Sequence, residues 1–435
     1  MTLSIRGGTI FHGDPPRRLE GDLLVDGGTI SEPSTDSIED VRIIDAEGCL
    51  VLPGLVIAHH HLYSALARGM PGPATAPANF VGVLEAIWWR LDRALDGDLT
   101  ELSAFVGSVE ALRCGVTSMV DHHASPMAIE GSLDRVAAGV QHAGARAVLC
   151  YEATDRHGDD GFAAGFAENE RFMGSFTGGT VRAMVGGHAP FTLSDAHLEE
   201  LANMAARHDV ALHLHVAEDA HDQTDAQARG ANNVVDRLER AGVLSGRSVL
   251  AHGVHLSESE LGRLTEAGAW LTHQPRSNMN NHVGYLGRAR AHGPRLALGT
   301  DGINGDILAE AQAAFFRLRE HDRSGAAETV WSWLAGGWRL MSMAFGLPAD
   351  RGFGCLDPGA PADIVILDYD SPTPVTADNL AWHLAFGISA RHVRDVIVGG
   401  ELAVVDRRLA RVDTDTLARE AHAGAKRLWA RMRDQ

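Results

Sequence analysis

Across residues 52 to 299 the chain alternates short apolar runs with longer stretches whose apolar residues recur at helical spacing. That is the pattern of repeated strand–helix units. The runs that read as strands are Leu52 to Ala58, Val116 to Val120, Ala145 to Tyr151, Val181 to Gly186, Val210 to Val216, Ser248 to Ala251, Ala269 to Thr272 and Arg295 to Gly299. Of the segments between them, Leu256 to Ala267 opens with the capping pair Ser257 and Glu260, and Glu101 to Arg113 stops at Gly115, both ordinary helix punctuation. Eight such units over residues 53–355 predict an α/β fold, a (β/α)8 barrel of the TIM type.

The two ends of the chain have a different texture. Leu3 to Ile5, Thr9 to Phe11, Asp22 to Val25 and Arg42 to Ile44 are short strand-like runs separated by Gly7-Gly8, Gly27-Gly28 and a polar stretch near Pro33, and glycine pairs of this kind mark turns. The same texture returns in Asp363 to Leu367 and Val393 to Val398, followed by Gly399-Gly400. The expectation is a small β-sandwich domain formed from both chain ends, residues 1–52 and 356–412. Residues 413–435 read as a terminal helix, its periodic core running from 414 to 433.

Composition adds exclusions. With 435 residues, 45% hydrophobic and 22% charged, the chain can bury one large core and a smaller second one. Its net charge of -19 argues against nucleic acid or an acidic membrane as partner, because both would repel it. The start lacks the basic-then-apolar pattern of a secretory signal and there is no 18-residue apolar run, so the cytoplasm is the expected compartment. Cys49, Cys114, Cys150 and Cys355 are widely spread with no C-x-x-C pair, which fits reduced thiols. Lys426 is the only lysine. A barrel lysine acting as a Schiff base, or carbamylated between two metals, is therefore not expected.

Barrel enzymes carry their chemistry at the C-terminal ends of the strands. Here those ends read His59 and His61, Asp121-His122-His123, Glu152, His188, His215 with Glu218, His252, His273 and Asp301. Polar groups at every strand end cost desolvation unless something satisfies them. In His59-His60-His61, alternate residues of a strand point the same way, so His59 and His61 form a chelating pair. From strand order, His59, His61, His215 and Asp301 are the expected ligands of one divalent metal ion. Zinc or ferrous iron suits three imidazoles and a carboxylate with a position left for water, whose pKa would fall from 15.7 toward about 7. Glu218, just past the strand that delivers His215, is the candidate acid–base. His252 can orient the water or stabilise a developing oxyanion, and Asp301 counts among the catalytic residues as well as the ligands.

Pro53-Gly54 with His59-x-His61, His215-x-x-Glu218, Ala251-His252, Ser277-Asn278 and Gly299-Thr300-Asp301-Gly302 resemble the amidohydrolase superfamily, in its cytosine-, guanine- and adenosine-deaminase (ATZ/TRZ-like) branch. The stretches His61 to Gly69, Trp88 to Asp96, Asp121 to Pro126, Arg276 to Gly284 and Ser371 to Pro374 are most similar to SsnA-type aminohydrolases. The similarity spans essentially the whole chain. It implies one metal, usually zinc, on His59, His61, His215 and Asp301. It also implies that the aspartate takes a proton from the attacking water, that the glutamate protonates a ring nitrogen, and that ammonia leaves an amino-substituted heterocycle of the purine, pyrimidine, pteridine or triazine kind. A homodimer is the assembly the resemblance implies. Relatives that expel chloride tend to lack the glutamate, so Glu218 favours an amine leaving group. Ile57 and Gly253 depart from the usual pattern, where many relatives carry a small polar residue and several a cysteine; both bear on pocket shape.

Two alternatives stay open: a cyclic amidase or chlorohydrolase on the same site, and a metal-binding accessory protein in cofactor or enzyme maturation. Substrate contacts are read at Arg68, His122, His188, His273 and Asn278. Against each stands a structural role: an ion pair for Arg68, a loop pin for His188, a turn device for Asn278. His122 and His123 read as hydrogen-bonded rim residues, His213 as a support or core histidine, and Trp88 and Trp89 as core. The loop 70–79, with Pro71, Pro73 and Pro77, is either a lid or a stiff connection.

Overall fold

The computed structural model describes all residues except 1, 33–40, 176–178, 288–291, 294 and 435. The polar stretch at Pro33 lies outside the described residues. Each of the eight expected apolar runs carries a strand, and these strands form two parallel sheets. One orders Leu55–His60, Val116–His123, Arg146–Tyr151 and Val181–Ala183 side by side; the other orders Val185–Gly186, Leu212–Val216, Ser248–His252, Trp270–His273 and Leu296–Leu298. The central strands are buried along their whole length, as expected for parallel strands covered on both faces.

Two expected runs are divided. Leu52 to Ala58 breaks at Gly54, so that Leu50–Pro53 pairs with Ile364–Leu367 while Leu55–His60 pairs with Val116–His123. Gly54 marks the break because its backbone is enclosed. Its N–H donates to the Asp363 carbonyl at 2.8 Å, its carbonyl accepts from Trp338 Nε1 at 2.8 Å, and a Cβ would stand 2.3 Å from Thr117. Val181 to Gly186 divides at Met184, whose neighbours pair outward to different sheets. Met184 N nevertheless donates to the Leu149 carbonyl at 3.0 Å, and Ala153 and Gly187 form a parallel bridge. At the other edges, Thr300 N and Asp301 N both donate to the His59 carbonyl, at 2.9 and 3.1 Å.

The helix Glu258–Glu266 starts at the expected Ser257 and Glu260 capping box, and Gly97–Arg113 is capped by Asp96 before ending at Gly115. The last helix is Thr414–Arg433. No described helix is long and apolar enough to cross a membrane.

Strands from both chain ends mix in a seven-stranded sheet ordered Arg408–Leu409, Glu401–Val405, Val393–Val398, Ile364–Leu367, Leu50–Pro53, Thr9–His12, Arg17–Leu19. A four-stranded sheet of Thr29–Ser31, Leu23–Asp26, Thr2–Arg6 and Val41–Asp45 accompanies it. Leu3, Ile5, Val25, Val51, Ile364 and Ile397 belong to one buried cluster shared by the two sheets. A larger cluster fills the space among the parallel strands and their helices.

Candidate metal and catalytic site

His59, His61, His215 and Asp301 are brought together, buried, with one ligand atom from each lying within 4.8 Å of the others. Asp301 Oδ1 is 2.9 Å from His61 Nε2 and 3.5 Å from His59 Nε2, and the Nε2 atoms of His61 and His215 are 3.2 Å apart. The second nitrogen of each ring is anchored elsewhere. His61 Nδ1 donates to the His122 carbonyl at 2.6 Å, His215 Nδ1 to the His188 carbonyl at 2.9 Å, and His59 Nδ1 meets His213 Nε2 at 3.0 Å. Asp301 Oδ2 accepts from Ser277 Oγ. Anchoring one nitrogen fixes both ring orientation and tautomer, which is how ligand histidines are normally held. His59 Nε2 is buried with no hydrogen-bond partner.

Burial pushes the His59 imidazole down to about 3 and His215 well below its ordinary range, so both are neutral. Burial acts on Asp301 in the opposite sense, but the His59 and His61 rings beside it hold its carboxyl well below the usual range. His61 is raised to about 9, since Asp301 and Glu152 outweigh its burial.

Glu218 follows Ala217, which has a φ of 50° and donates its N–H to Asp222 Oδ2 at 2.6 Å. Glu218 Oε1 accepts from Asn281 Nδ2 at 3.1 Å, and Oε2 lies 3.4 Å from His252 Nε2. Burial raises this carboxyl to about 7 against the pull of His252. The His252 ring is tied by Nδ1 to Asn278 Oδ1 at 2.9 Å, leaving Nε2 without a hydrogen-bond partner beside Glu218 and Asp301. Ala217, His252 and Asp301 have φ values of 50°, 76° and 53°. Left-handed backbone is costly for residues with a Cβ and persists where surrounding structure enforces it, often at functional sites. Gly253 continues the turn at φ 63°, left-handed backbone that favours glycine, and a Cβ there would stand 2.8 Å from the Leu271 side chain.

His61, His215, Glu218, Asn281 and Asp301 line a cavity that has Phe80, Trp88, Trp89 and Phe191 in its walls. Leu84–Trp88 is a single turn of π-helix, a device that re-aims side chains. It lays Trp88 so close to Gly302 that a Cβ there would stand 2.2 Å from the indole. Trp88 and Trp89 are thus cavity walls and not the expected core.

Other expectations meet mixed placements. His188 lines the cavity and its Nδ1 meets Thr192 Oγ1 at 2.8 Å. Arg68 does not: it is half-exposed and paired with Glu110. His273 is buried against Tyr285 and Trp333, and Asn278 meets the site through His252. His123 does hydrogen-bond, to Ser125 Oγ at 3.0 Å. His122 is corrected: it lies inside a strand, fully buried, its ring stacked 4.5 Å from that of His213, with both ring nitrogens lacking a hydrogen-bond partner. The strand runs on because Cys150 and Tyr151 extend its ladder through His123. His213, read as a support or a core histidine, is fully buried and meets His59 Nδ1 through its Nε2. The loop 70–79 lies beside Trp429 and Met432 and does not line this cavity.

Sequence reading missed Asn281, Asp92 and Arg156. Asn281 was findable, four residues beyond Ser277 and so on the same helical face; Asp92 and Arg156 pair across 64 positions with no local signal.

Residues 50–403 match the model of the Amidohydrolase family. Over 436 residues the chain is 29% identical to a 5-methylthioadenosine/S-adenosylhomocysteine deaminase of Desulforudis audaxviator, covering 97% of this chain and 96% of the relative. It is 31% identical over 416 residues to an 8-oxoguanine deaminase of Pseudomonas aeruginosa, with 89% of each covered. An adenosine deaminase structure from Xanthomonas campestris with bound zinc superposes with a TM-score of 0.85 at 24% identity, covering 98% of both chains, which speaks for the fold.

Proposed function

This chain belongs to the amidohydrolase family, and from that premise we propose that it is a metal-dependent hydrolase releasing ammonia from an amino-substituted heterocycle. The observation that carries the reading is the convergence of His59, His61, His215 and Asp301 on one point, with Glu218 on the same cavity. The donor set fits a divalent ion: three imidazoles and a carboxylate make an open first shell, and the partnerless Nε2 of His59 is a buried atom that such an ion would satisfy. We read the ion as zinc, with ferrous iron suited to the same donors. When bound, it supplies Lewis acidity and makes water nucleophilic near neutral pH.

The protein's own groups do the rest. Asp301 accepts the proton of the attacking water. Glu218, held by Asn281, places a proton on the ring nitrogen next to the amine-bearing carbon, which draws electron density away and opens that carbon to attack. His252, fixed by Asn278, stabilises the developing charge from the other side. Trp88, Trp89 and Phe191 flank the planar ring and keep bulk water out. Asp301 passes the proton it took from water to the amine as the carbon–nitrogen bond breaks, so that the group departs as ammonia, and the proton of the new hydroxyl returns to Glu218 as the ring carbonyl forms. The deaminases of methylthioadenosine and 8-oxoguanine among the relatives support a purine-type ring.

The same reading takes the two parallel sheets as one closed eight-unit barrel over 53–355, supported by hydrogen bonds at both seams. It takes the outer sheets as a β-sandwich from 1–52 and 356–412, with 413–435 as the closing helix. A homodimer and cytoplasmic residence complete it.

The test is ammonia release from a panel of aminated rings by zinc-loaded wild type and Glu218→Gln. Wild type turns over at least one ring, and the variant loses about 10²-fold or more in kcat while elemental analysis finds its metal content unchanged. Undiminished activity in the variant removes Glu218 as proton shuttle. No ammonia from any ring removes the deaminase reading.

A further inference from the structure

The deaminase reading accounts for the floor of the cavity and leaves one part of its wall without a role. There Asp92, from the helix Trp89–Ala94, meets Arg156, from the turn after the strand Arg146–Tyr151, with Nη2 and Oδ2 3.1 Å apart. Their side chains are only 3% and 10% exposed. The guanidinium lies over the Trp89 ring, 4.8 Å from its centroid. With that pair made, Arg156 Nε and Nη1 and Asp92 Oδ1 have no hydrogen-bond partner, and all three residues line the cavity. Buried charged groups with unmet hydrogen bonds are costly, and where their residues wall a cavity a bound ligand can supply the missing partners.

The unmet atoms describe that ligand. A vicinal diol held by a carboxylate would use both of its oxygens, yet Oδ2 of Asp92 is engaged by Arg156 and one acceptor remains. A phosphate or carboxylate would want an uncompensated cation. The charge of Arg156 is already matched by Asp92, and Glu152, Glu218 and Asp301 share the cavity. What complements one acceptor beside arginine donors is an uncharged edge presenting an acceptor next to a donor. A ring lactam, –NH–C(=O)–, has that edge, with its carbonyl oxygen toward Arg156 and its N–H toward Asp92 Oδ1.

We propose that Asp92 and Arg156 form a lactam-recognition subsite, so that the substrate is an amino ring that also carries a ring carbonyl flanked by N–H. The proposal rests on the deaminase reading for the amine end of the ring.

Matched pairs test it: guanine against 2-aminopurine, isocytosine against 2-aminopyrimidine, 8-oxoadenine against adenine, with adenosine as the diol probe. In the pair that is turned over, the lactam member has a kcat/KM about 10²-fold or more above its partner, because a site built for a hydrogen-bonding group rejects the analogue that lacks it. Arg156→Gln and Asp92→Asn bring that ratio within about tenfold, chiefly through KM, and Arg156→Lys, which keeps the charge but not the fork, also lowers it. Equal turnover of both members, a preference for adenosine over every lactam, or an unchanged ratio in folded variants overturns the subsite. Calorimetric binding of the same rings to the Glu218→Gln holoenzyme separates this from failure of the deaminase reading. If no ring yields ammonia, tighter binding of the lactam members still supports the subsite, and equal binding overturns it.

Discussion

The ring of His213 does for His59 what backbone carbonyls do for His61 and His215. For His59 to offer Nε2 to an ion, its Nδ1 must carry the proton, so His213 Nε2, 3.0 Å away, accepts it. His213→Ala is expected to weaken metal affinity about 10–100-fold by chelator competition, and His213→Gln, whose amide oxygen can accept the same proton, recovers part of the loss. As the proposed proton donor, Glu218 would set a pH dependence. Burial holds its carboxyl at about 7, so the proton it donates is present below that pH and lost above it. A pH profile of kcat/KM should therefore fall on the alkaline side of about 7, and the limb should vanish with Glu218→Gln. The four residues proposed to hold the metal were legible in the sequence because each follows or ends an apolar strand. His122 was misread because its strand outlasts its apolar run, and Asp92 with Arg156 was invisible because their partnership exists only after folding.

Among the elements, the helix Ala327–Ala344 presses directly on the strand Leu296–Leu298: a Cβ at Gly336 would stand 1.9 Å from the Leu296 carbonyl oxygen. That strand leads to Asp301. Gly336→Ala is expected to destabilise the protein by about 3 kcal/mol or more, since backbone must move to admit one methyl; a urea midpoint measures it. Activity should fall further than stability explains, because Asp301 moves with its strand. The eight apolar runs were legible because buried parallel strands need no polar face. The short strands Arg17–Leu19 and Thr29–Ser31 were not, since three residues give too little pattern to separate from turns. Nor was the division of Val181 to Gly186, which depends on which neighbours Met184 meets and not on its own hydrophobicity.

For the molecule as a whole, an ion held as proposed by His59, His61, His215 and Asp301 would link parts of the fold that are far apart in sequence. At a thousandfold excess over its Kd, metal adds about 4 kcal/mol to stability, so melting followed by fluorescence should shift upward with zinc and downward with chelator. Stripping should be easier at lower pH, where protons compete for His61. The seven-stranded sheet adds a constraint of another kind. Leu50–Pro53 must hydrogen-bond with Ile364–Leu367, so a fully apolar segment emerging early from the ribosome waits for one made about 310 residues later. At translation rates of about 5–20 residues per second that delay is roughly 15–60 s. Until it ends, the nascent chain carries an unprotected sticky edge, so newly made protein should be captured by chaperones until residues beyond 367 have cleared the exit tunnel.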